Sequence, residues 1–140
     1  MAHGPVTHGR LQEEADAAFR AHDHAAAMEL FGKCAAAAGP QEEQLRLAAL
    51  SHRALAFLKL RQPAAALEDC DTVLAAQPTH AAALYRKAAA CRALGRGEEA
   101  RALLRQCVTL QPGNKIACAA LGKLEGPSAR ARVAGGPGAL

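Results

Sequence analysis

The chain has 140 residues, with 17 lysines and arginines, 13 aspartates and glutamates and a formal net charge of +4, and this length fits a single domain. Hydrophobic residues make up 51% and aromatic residues only 3%, and the most common residue is alanine, the strongest helix former. The net charge is mild, and the sequence has no long basic stripe with interleaved aromatic residues, so nucleic-acid binding is not indicated. No apolar run is long enough for a membrane span.

The first predicted elements are an arm and a helical pair. Residues 1–7 carry Gly4 and Pro5 without helical periodicity, so we expect a flexible N-terminal arm. That arm lacks the apolar stretch of a secretory signal. A pair of helices is predicted from about residue 11 to residue 38, divided by a polar turn at residues 22–24. The two histidines of this turn have no third ligand at a suitable spacing, so we predict no metal site there, and no cofactor is expected.

The next four helices are separated by glycine and proline. Gly39–Pro40 should end the second helix, and residues 41–45 are expected to extend the third helix at its start. The third and fourth helices divide near Arg61–Gln62, and Pro63 suits the first turn of the fourth helix, where its missing N–H costs little. Residues 95–97 form the corresponding turn between the fifth and sixth helices.

A seventh helix is predicted over residues 115–125. Three of its apolar residues are expected on the face that covers the preceding helices: Ile116, Ala120 and Leu124. Gly126–Pro127 should end it, and the Gly-, Pro- and Ala-rich residues 126–140 are predicted to be disordered.

Residues 47–80 and 81–114 align without a gap at a spacing of 34 residues. Three matched pairs carry the alignment: Ala54 with Ala88, Ala66 with Ala100, and Pro78 with Pro112. A period of 34 with helical patterning is typical of tetratricopeptide repeats, in which each unit is a helix–turn–helix. We therefore predict an all-α, right-handed superhelix over residues 8–125, in which stacked units form an extended groove. Its parts are three repeats, at about 8–41, 47–80 and 81–114, and a C-terminal capping helix, 115–125.

The chain resembles the tetratricopeptide repeat (TPR) family over residues 8–125, because the small and large positions of that family are filled in phase. Small residues stand at Ala15, Ala54 and Ala88 and again at Ala27, Ala66 and Ala100, and larger ones at Leu11, Leu50, Leu84, Phe31 and Leu104. Only Cys70 is undersized for its position. The segments SHRALAFLKL and ALYRKAAACRALG are similar to the three-repeat-plus-cap domains of Hsp70/Hsp90 co-chaperones, nearest in style to the myosin-chaperone co-chaperones.

That resemblance implies a clamp for the two carboxylates at the end of an acidic chaperone tail. The five clamp positions of that group, in the order Lys, Asn, Asn, Lys and Arg, correspond here to Gln12, Asp16, His52, Ala82 and Arg86. Only Arg86 keeps the residue type, so the resemblance implies a degenerate clamp. Asp16 places a carboxylate where the ligand carboxylates would sit, and repulsion of this kind costs on the order of 1 kcal/mol or more.

The first helices of the three repeats should line the concave face of the stack. The candidate peptide-binding residues are Gln12, Asp16, Arg20, His52, Leu55, Lys59, Tyr85, Arg86 and Arg92. This face is acidic at the first helix and basic toward the third and fifth, so we predict a partner with a negative group near Arg86 and Lys59 and a hydrophobic residue against Leu55 or Leu58. The alternative is that these are ordinary solvated charges of amphipathic helices.

The five cysteines contain no CxxC pair and suit neither a zinc site nor a disulfide framework. Core positions for most of them favour free thiols and a reducing compartment, so we expect a cytoplasmic protein, with the nucleus as an alternative. The Asp69–Cys70–Asp71 segment is interpreted as two exposed acids around a core residue. No phosphate-binding loop or triad pattern is present, so no enzymatic activity is predicted.

The leading functional hypothesis is a non-catalytic adaptor that binds a peptide or helix of a partner protein in the concave groove. One alternative is an Hsp70/Hsp90 co-chaperone that binds the acidic chaperone tail through the degenerate clamp. Another is a structural role, with self-association through the alanine-rich convex surface. The adaptor hypothesis expects a monomer with a protein partner and without nucleic acid or membrane.

Overall fold

The computed structural model describes the backbone of residues 8–135 and the side chains of residues 8–125. Seven α-helices and no strand occupy this range, which confirms the all-α prediction. The helices are α1 (His8–Arg20), α2 (His24–Ala37), α3 (Glu43–Lys59), α4 (Pro63–Ala76), α5 (Ala81–Ala93), α6 (Gly97–Leu110) and α7 (Lys115–Gly135). The predicted arm, residues 1–7, lies outside the described residues.

The helices form a stack of pairs. Each helix packs against the next one along the chain, and α3 also contacts α5, the first helix of the following pair. This arrangement is the right-handed superhelix that the 34-residue period predicted. It brings the first helices of successive pairs together on one face.

Small buried residues allow the paired helices to approach closely. The alanines at the two small positions of the repeats have exposed fractions of 0 to 2%: Ala15, Ala54, Ala88, Ala27, Ala66 and Ala100. Phe31 and Leu104 fill the larger positions and are each 2% exposed. The short side chain of Cys70 is compensated by Phe57, Leu58 and Leu67, which pack against the same buried cluster.

The two helices of each pair are joined by a turn with one left-handed residue. The φ angles of His22, Arg61 and Gly95 are 63°, 61° and 81°. Arg61 and Gly95 are 34 positions apart, so the same backbone geometry recurs at the same place in consecutive repeats. Only the third turn carries glycine, for which this conformation has little steric cost.

Helix α3 is longer than the other first helices, with 17 residues against 13 in both α1 and α5. The predicted extension begins at Glu43 rather than at Gln41, because the Glu42 N–H donates to the Gly39 carbonyl at 2.9 Å and closes a turn there. The extra turn is held at its side by Gln44, whose Oε1 accepts a 2.7 Å hydrogen bond from Gln77 Nε2 after α4.

The buried face of α7 is different from the predicted one at its first position. Ile116 is 68% exposed, whereas its neighbour Ala117 is fully buried. Asn114 caps the helix by accepting a 3.0 Å hydrogen bond from the Ala117 N–H, which fixes where α7 starts and turns Ala117 inward. Ala120, Leu121 and Leu124 then pack against the core of α5 and α6, so the predicted inward position of Ile116 is wrong.

Helix α7 also continues beyond its predicted end at Gly126–Pro127 and reaches Gly135. A proline removes one backbone hydrogen bond, whereas the following alanines and arginines have high helix propensity. The backbone of 126–135 is therefore helical beyond the predicted end, the disorder of residues 126–140 stays a prediction, and residues 136–140 lie outside the described part. Within residues 8–135, no helix is long and apolar enough to cross a membrane.

Asp69 is buried, with 5% exposure, although the sequence predicted an exposed acid. Arg53 of α3 binds it with two hydrogen bonds, from Nε to Oδ2 at 2.8 Å and from Nη2 to Oδ1 at 2.6 Å. These bonds raise the pKa of Arg53. The two-point contact allows the carboxylate to be buried. Asp71 is exposed as predicted and forms a 2.8 Å ion pair with Lys87.

Candidate functional site

A cavity of about 550 Å³ opens on the face shared by α3, α5 and the start of α7. Its lining residues are Leu55, Leu58, Lys59, Ala81, Ala82, Tyr85, Arg86, Ala89, Gln111, Asn114 and Ile116. Four of the nine predicted binding residues are therefore brought together here, namely Leu55, Lys59, Tyr85 and Arg86. Leu55, Leu58 and Ile116 make the wall apolar, while Lys59 and Arg86 supply two cations.

Arg86 is a partly buried cation that is held by neutral groups. Its Nη1 donates to the Ser51 carbonyl at 2.9 Å and to the Ser51 hydroxyl at 2.6 Å. Ser51 is 2% exposed, so this contact fixes the guanidinium from inside the fold. No carboxylate among the described side chains pairs with Arg86, and burial lowers the pKa of its guanidinium below the ordinary value. Because arginine stays protonated, its free Nε and Nη2 donors are positioned to receive an anion.

His52 adjoins this cation on α3. Its ring stacks on Phe31, with a centroid separation of 5.2 Å and an interplanar angle of 21°. Burial is the main cause that lowers the pKa of His52, and the charge of Arg86 lowers it further, while Asp16 and the Ala48 carbonyl act in the opposite direction. His52 is therefore neutral at pH 7. The charges of Arg86 on α5 and of Asp16 on α1 thus act on the pKa of the same imidazole in opposite directions.

Asp16 and Gln12 lie on α1, and neither they nor His52 line the cavity between α3, α5 and α7. Gln12 Nε2 donates to Asp16 Oδ1 at 3.1 Å, and both residues are half-buried. No cation pairs with Asp16 among the side chains of residues 8–125. Arg20, one turn further along α1, is exposed and does not line this cavity, so the structure does not bring it to the site.

A second cavity of about 370 Å³ lies between α5, α6 and α7. Its lining residues are Tyr85, Ala88, Ala89, Arg92, Ala93, Leu104 and Ala120. Arg92 is exposed at this cavity and is separated from Arg86 by more than one turn of α5. Tyr85 and Ala89 line both cavities, so the two cavities adjoin along α5.

Ser51 and Ile116 contribute to the site without having been predicted. Ser51 is a buried polar residue within an apolar helix face, and its contact with Arg86 depends on the approach of α3 to α5. Ile116 was assigned to the core. A signal for Ile116 was present in the N-cap pattern of Asn114, because the cap sets the rotation of α7. The binding roles of all nine residues stay predictions.

Four of the five cysteines are buried free thiols: Cys34, Cys70, Cys91 and Cys107. Burial raises the pKa of each of them, in the case of Cys70 to about 12, and a protonated buried thiol is a poor nucleophile. Over the described part of the chain, no three His, Cys, Asp or Glu side chains form a group that could hold a metal ion.

Comparison with known proteins gives the class of this fold. Residues 52–115 match the family model described as tetratricopeptide repeat. The myosin chaperone UNC-45 from C. elegans, solved in complex with an Hsp90 peptide, superposes with a TM-score of 0.81 at 26% identity, over 86% of this chain and 13% of that one. The first TPR domain of Spaghetti (RPAP3), bound to the HSP90 peptide SRMEEVD, gives 0.77 at 25% identity, over 90% and 97%.

The chain therefore has the fold of tetratricopeptide repeat domains, and the family match itself covers residues 52–115. Within this class it is similar to the TPR domains of Hsp70/Hsp90 co-chaperones, and the myosin chaperone among them agrees with the resemblance seen in the sequence. The curated protein "FK506-binding protein-like" from Homo sapiens is 41% identical over 86 residues, which are 61% of this chain and 24% of that protein. The chain spans about a quarter or less of the length of the curated relatives it matches.

Proposed function

We propose that this chain is a non-catalytic adaptor, which binds an extended peptide of a partner protein through a carboxylate at Arg86. The observation that carries the proposal is the state of Arg86, a partly buried cation whose only partner among the described residues is the neutral Ser51. A buried charge without a counter-ion is costly. A ligand carboxylate supplies that counter-ion, and the apolar wall of the same cavity receives a neighbouring side chain.

A second candidate function is that of an Hsp70/Hsp90 co-chaperone, with the acidic chaperone tail as the ligand. It is favoured by two similar structures, UNC-45 and RPAP3, which were each solved with an Hsp90 peptide. In this chain the tail would meet Arg86 and Lys59 instead of a complete clamp. Both functions place the protein in the cytoplasm, with the nucleus as an alternative, and as a monomer with a protein partner.

The proposal is tested by calorimetric titration of the chain with the peptide SRMEEVD and with the same peptide carrying a C-terminal amide. Arg86→Met should weaken binding of the free-acid peptide at least about tenfold, because a charge-assisted hydrogen bond is lost. Lys87→Met is the matched control, since it removes a cation of the same helix that lines neither cavity and pairs with Asp71, and it should change the affinity less than about twofold.

Circular dichroism checks that each variant remains helical, and Arg86→Gln serves as a second variant that keeps a polar side chain near Ser51. Equal affinity of the wild type and both Arg86 variants would refute carboxylate binding at this residue. Absence of wild-type binding to SRMEEVD would eliminate the co-chaperone candidate. The adaptor proposal then requires Arg86-dependent binding within a library of other peptides with free C-terminal carboxylates.

A further inference from the structure

Among the described side chains, two partly buried charges of opposite sign, Asp16 on α1 and Arg86 on α5, have no ion-pair partner. At one side Asp16 is half-buried, and its only hydrogen bond from a described side chain comes from the neutral amide of Gln12, at 3.1 Å to Oδ1. At the other side Arg86 is partly buried and bound only by Ser51. The two do not neutralise each other, because Asp16 is bonded to Gln12 and Arg86 to Ser51, and no ion pair joins them. Each leaves hydrogen-bonding atoms free, Oδ2 on Asp16 and Nε with Nη2 on Arg86.

Neighbouring groups do not compensate these charges. His52 lies beside Arg86, stacks on Phe31 and is neutral at pH 7, so it adds no positive charge near Asp16. Arg20 stands one turn beyond Asp16 but forms no ion pair with it and is exposed. The cations that line the larger cavity, Lys59 and Arg86, belong to α3 and α5.

We infer that the groove selects a peptide with charges of both signs, whose carboxylate binds Arg86 and whose lysine or arginine side chain binds Asp16. This inference rests on the proposed function and specifies its ligand. A second ligand carboxylate at Asp16 meets a like charge, whereas an ammonium or guanidinium there meets an opposite one. At contact distance in water such an interaction corresponds to about a fivefold change in affinity, and the factor increases with burial.

The test compares three peptides, SRMEEVD, SRMKEVD and SRMEKVD, in which a lysine replaces one glutamate at a time. Each is titrated into the wild-type chain and into Asp16→Asn, which retains an oxygen that can accept from Gln12. We expect at least one lysine peptide to bind the wild type about fivefold more tightly than SRMEEVD. In Asp16→Asn the affinity for SRMEEVD should increase about fivefold and the preference for lysine should disappear.

Glu13→Gln is the matched control, because it removes the same charge from an exposed position of α1 and should change every affinity less than about twofold. The inference is overturned if Asp16→Asn leaves all three affinities unchanged or shifts them by one common factor. If the proposed function holds while this inference fails, Arg86→Gln still weakens the binding of all three peptides. Loss of the Arg86 dependence refutes the proposed function instead, and absence of binding by all three peptides refutes the inference.

Discussion

At the scale of single residues, the turn inside each repeat depends on one left-handed position. Gly95 has a φ of 81° and open space where a Cβ would stand, so any effect of a side chain there comes from the backbone alone. Two residues further on, Gly97 begins α6 and also has open space, but its φ is not positive. An alanine at either position meets no steric contact, so a difference between the two substitutions reports the left-handed backbone of Gly95.

We predict that Gly95→Ala lowers the free energy of unfolding by about 1 kcal/mol, because an L-residue is strained in the left-handed region. Gly97→Ala should leave it unchanged or raise it by up to about 1 kcal/mol, since alanine favours the helix. Urea denaturation followed by circular dichroism measures both. Equal effects of the two substitutions would show that the left-handed geometry is not the cause.

The same scale shows which site residues can be found in a sequence. Arg86 was predicted because it keeps its residue type in a recognisable motif. Ser51, which holds Arg86, follows no motif, since the contact exists only once α3 and α5 are packed together. Residues that contact a ligand leave a pattern along one helix, whereas residues that orient them from another helix depend on the tertiary structure.

At the scale of the helices, the period of 34 and the phase of the alanines predicted the four helices of residues 47–114. The first pair was predicted from its polar turn, and the seventh helix from its apolar residues. Asp69 and Ile116 were misassigned because both depend on details between helices. Asp69 is inward because Arg53 reaches it from the neighbouring helix, and Ile116 is outward because the Asn114 cap sets the rotation of α7. The periodicity of apolar residues predicts neither a buried polar residue nor the rotation of a helix that its N-cap residue sets.

The two acids that flank Cys70 provide a matched pair for a stability measurement. Asp69→Asn should lower the free energy of unfolding by about 2 kcal/mol, because Arg53 is left partly buried without a counter-ion. Asp71→Asn should cost about 0.5 kcal/mol or less, since its ion pair with Lys87 is largely solvated. Both values come from urea unfolding at neutral pH. Comparable losses for the two variants would contradict the assigned burial of Asp69.

At the scale of the whole molecule, a stack of repeats can open locally, because each repeat contacts only its neighbours. The buried thiols are placed to report this opening. Cys34 lies in the first helical pair, Cys70 in the central pair, and Cys107 in the last pair, and all are fully buried. The exposed Cys118 on α7 serves as an internal reference.

We predict that one thiol per native chain reacts rapidly with DTNB and that Cys118→Ser abolishes this fast phase. The remaining thiols should react slowly, with Cys70 slower than Cys34 and Cys107, because both neighbours of the central pair must be disrupted to expose it. Mass spectrometry after timed alkylation assigns the rates. A single common rate, equal to that of global unfolding, would mean that the repeats open together.

The additional first turn of α3 provides a position for a label away from both cavities. Its four residues beyond the length of α1 and α5 add about 6 Å along the helix axis, while residues 47–80 and 81–114 still align without a gap. Leu45 on this turn is 40% exposed and lines neither cavity. A fluorophore attached at Leu45 therefore labels the chain for binding measurements while leaving every proposed contact intact.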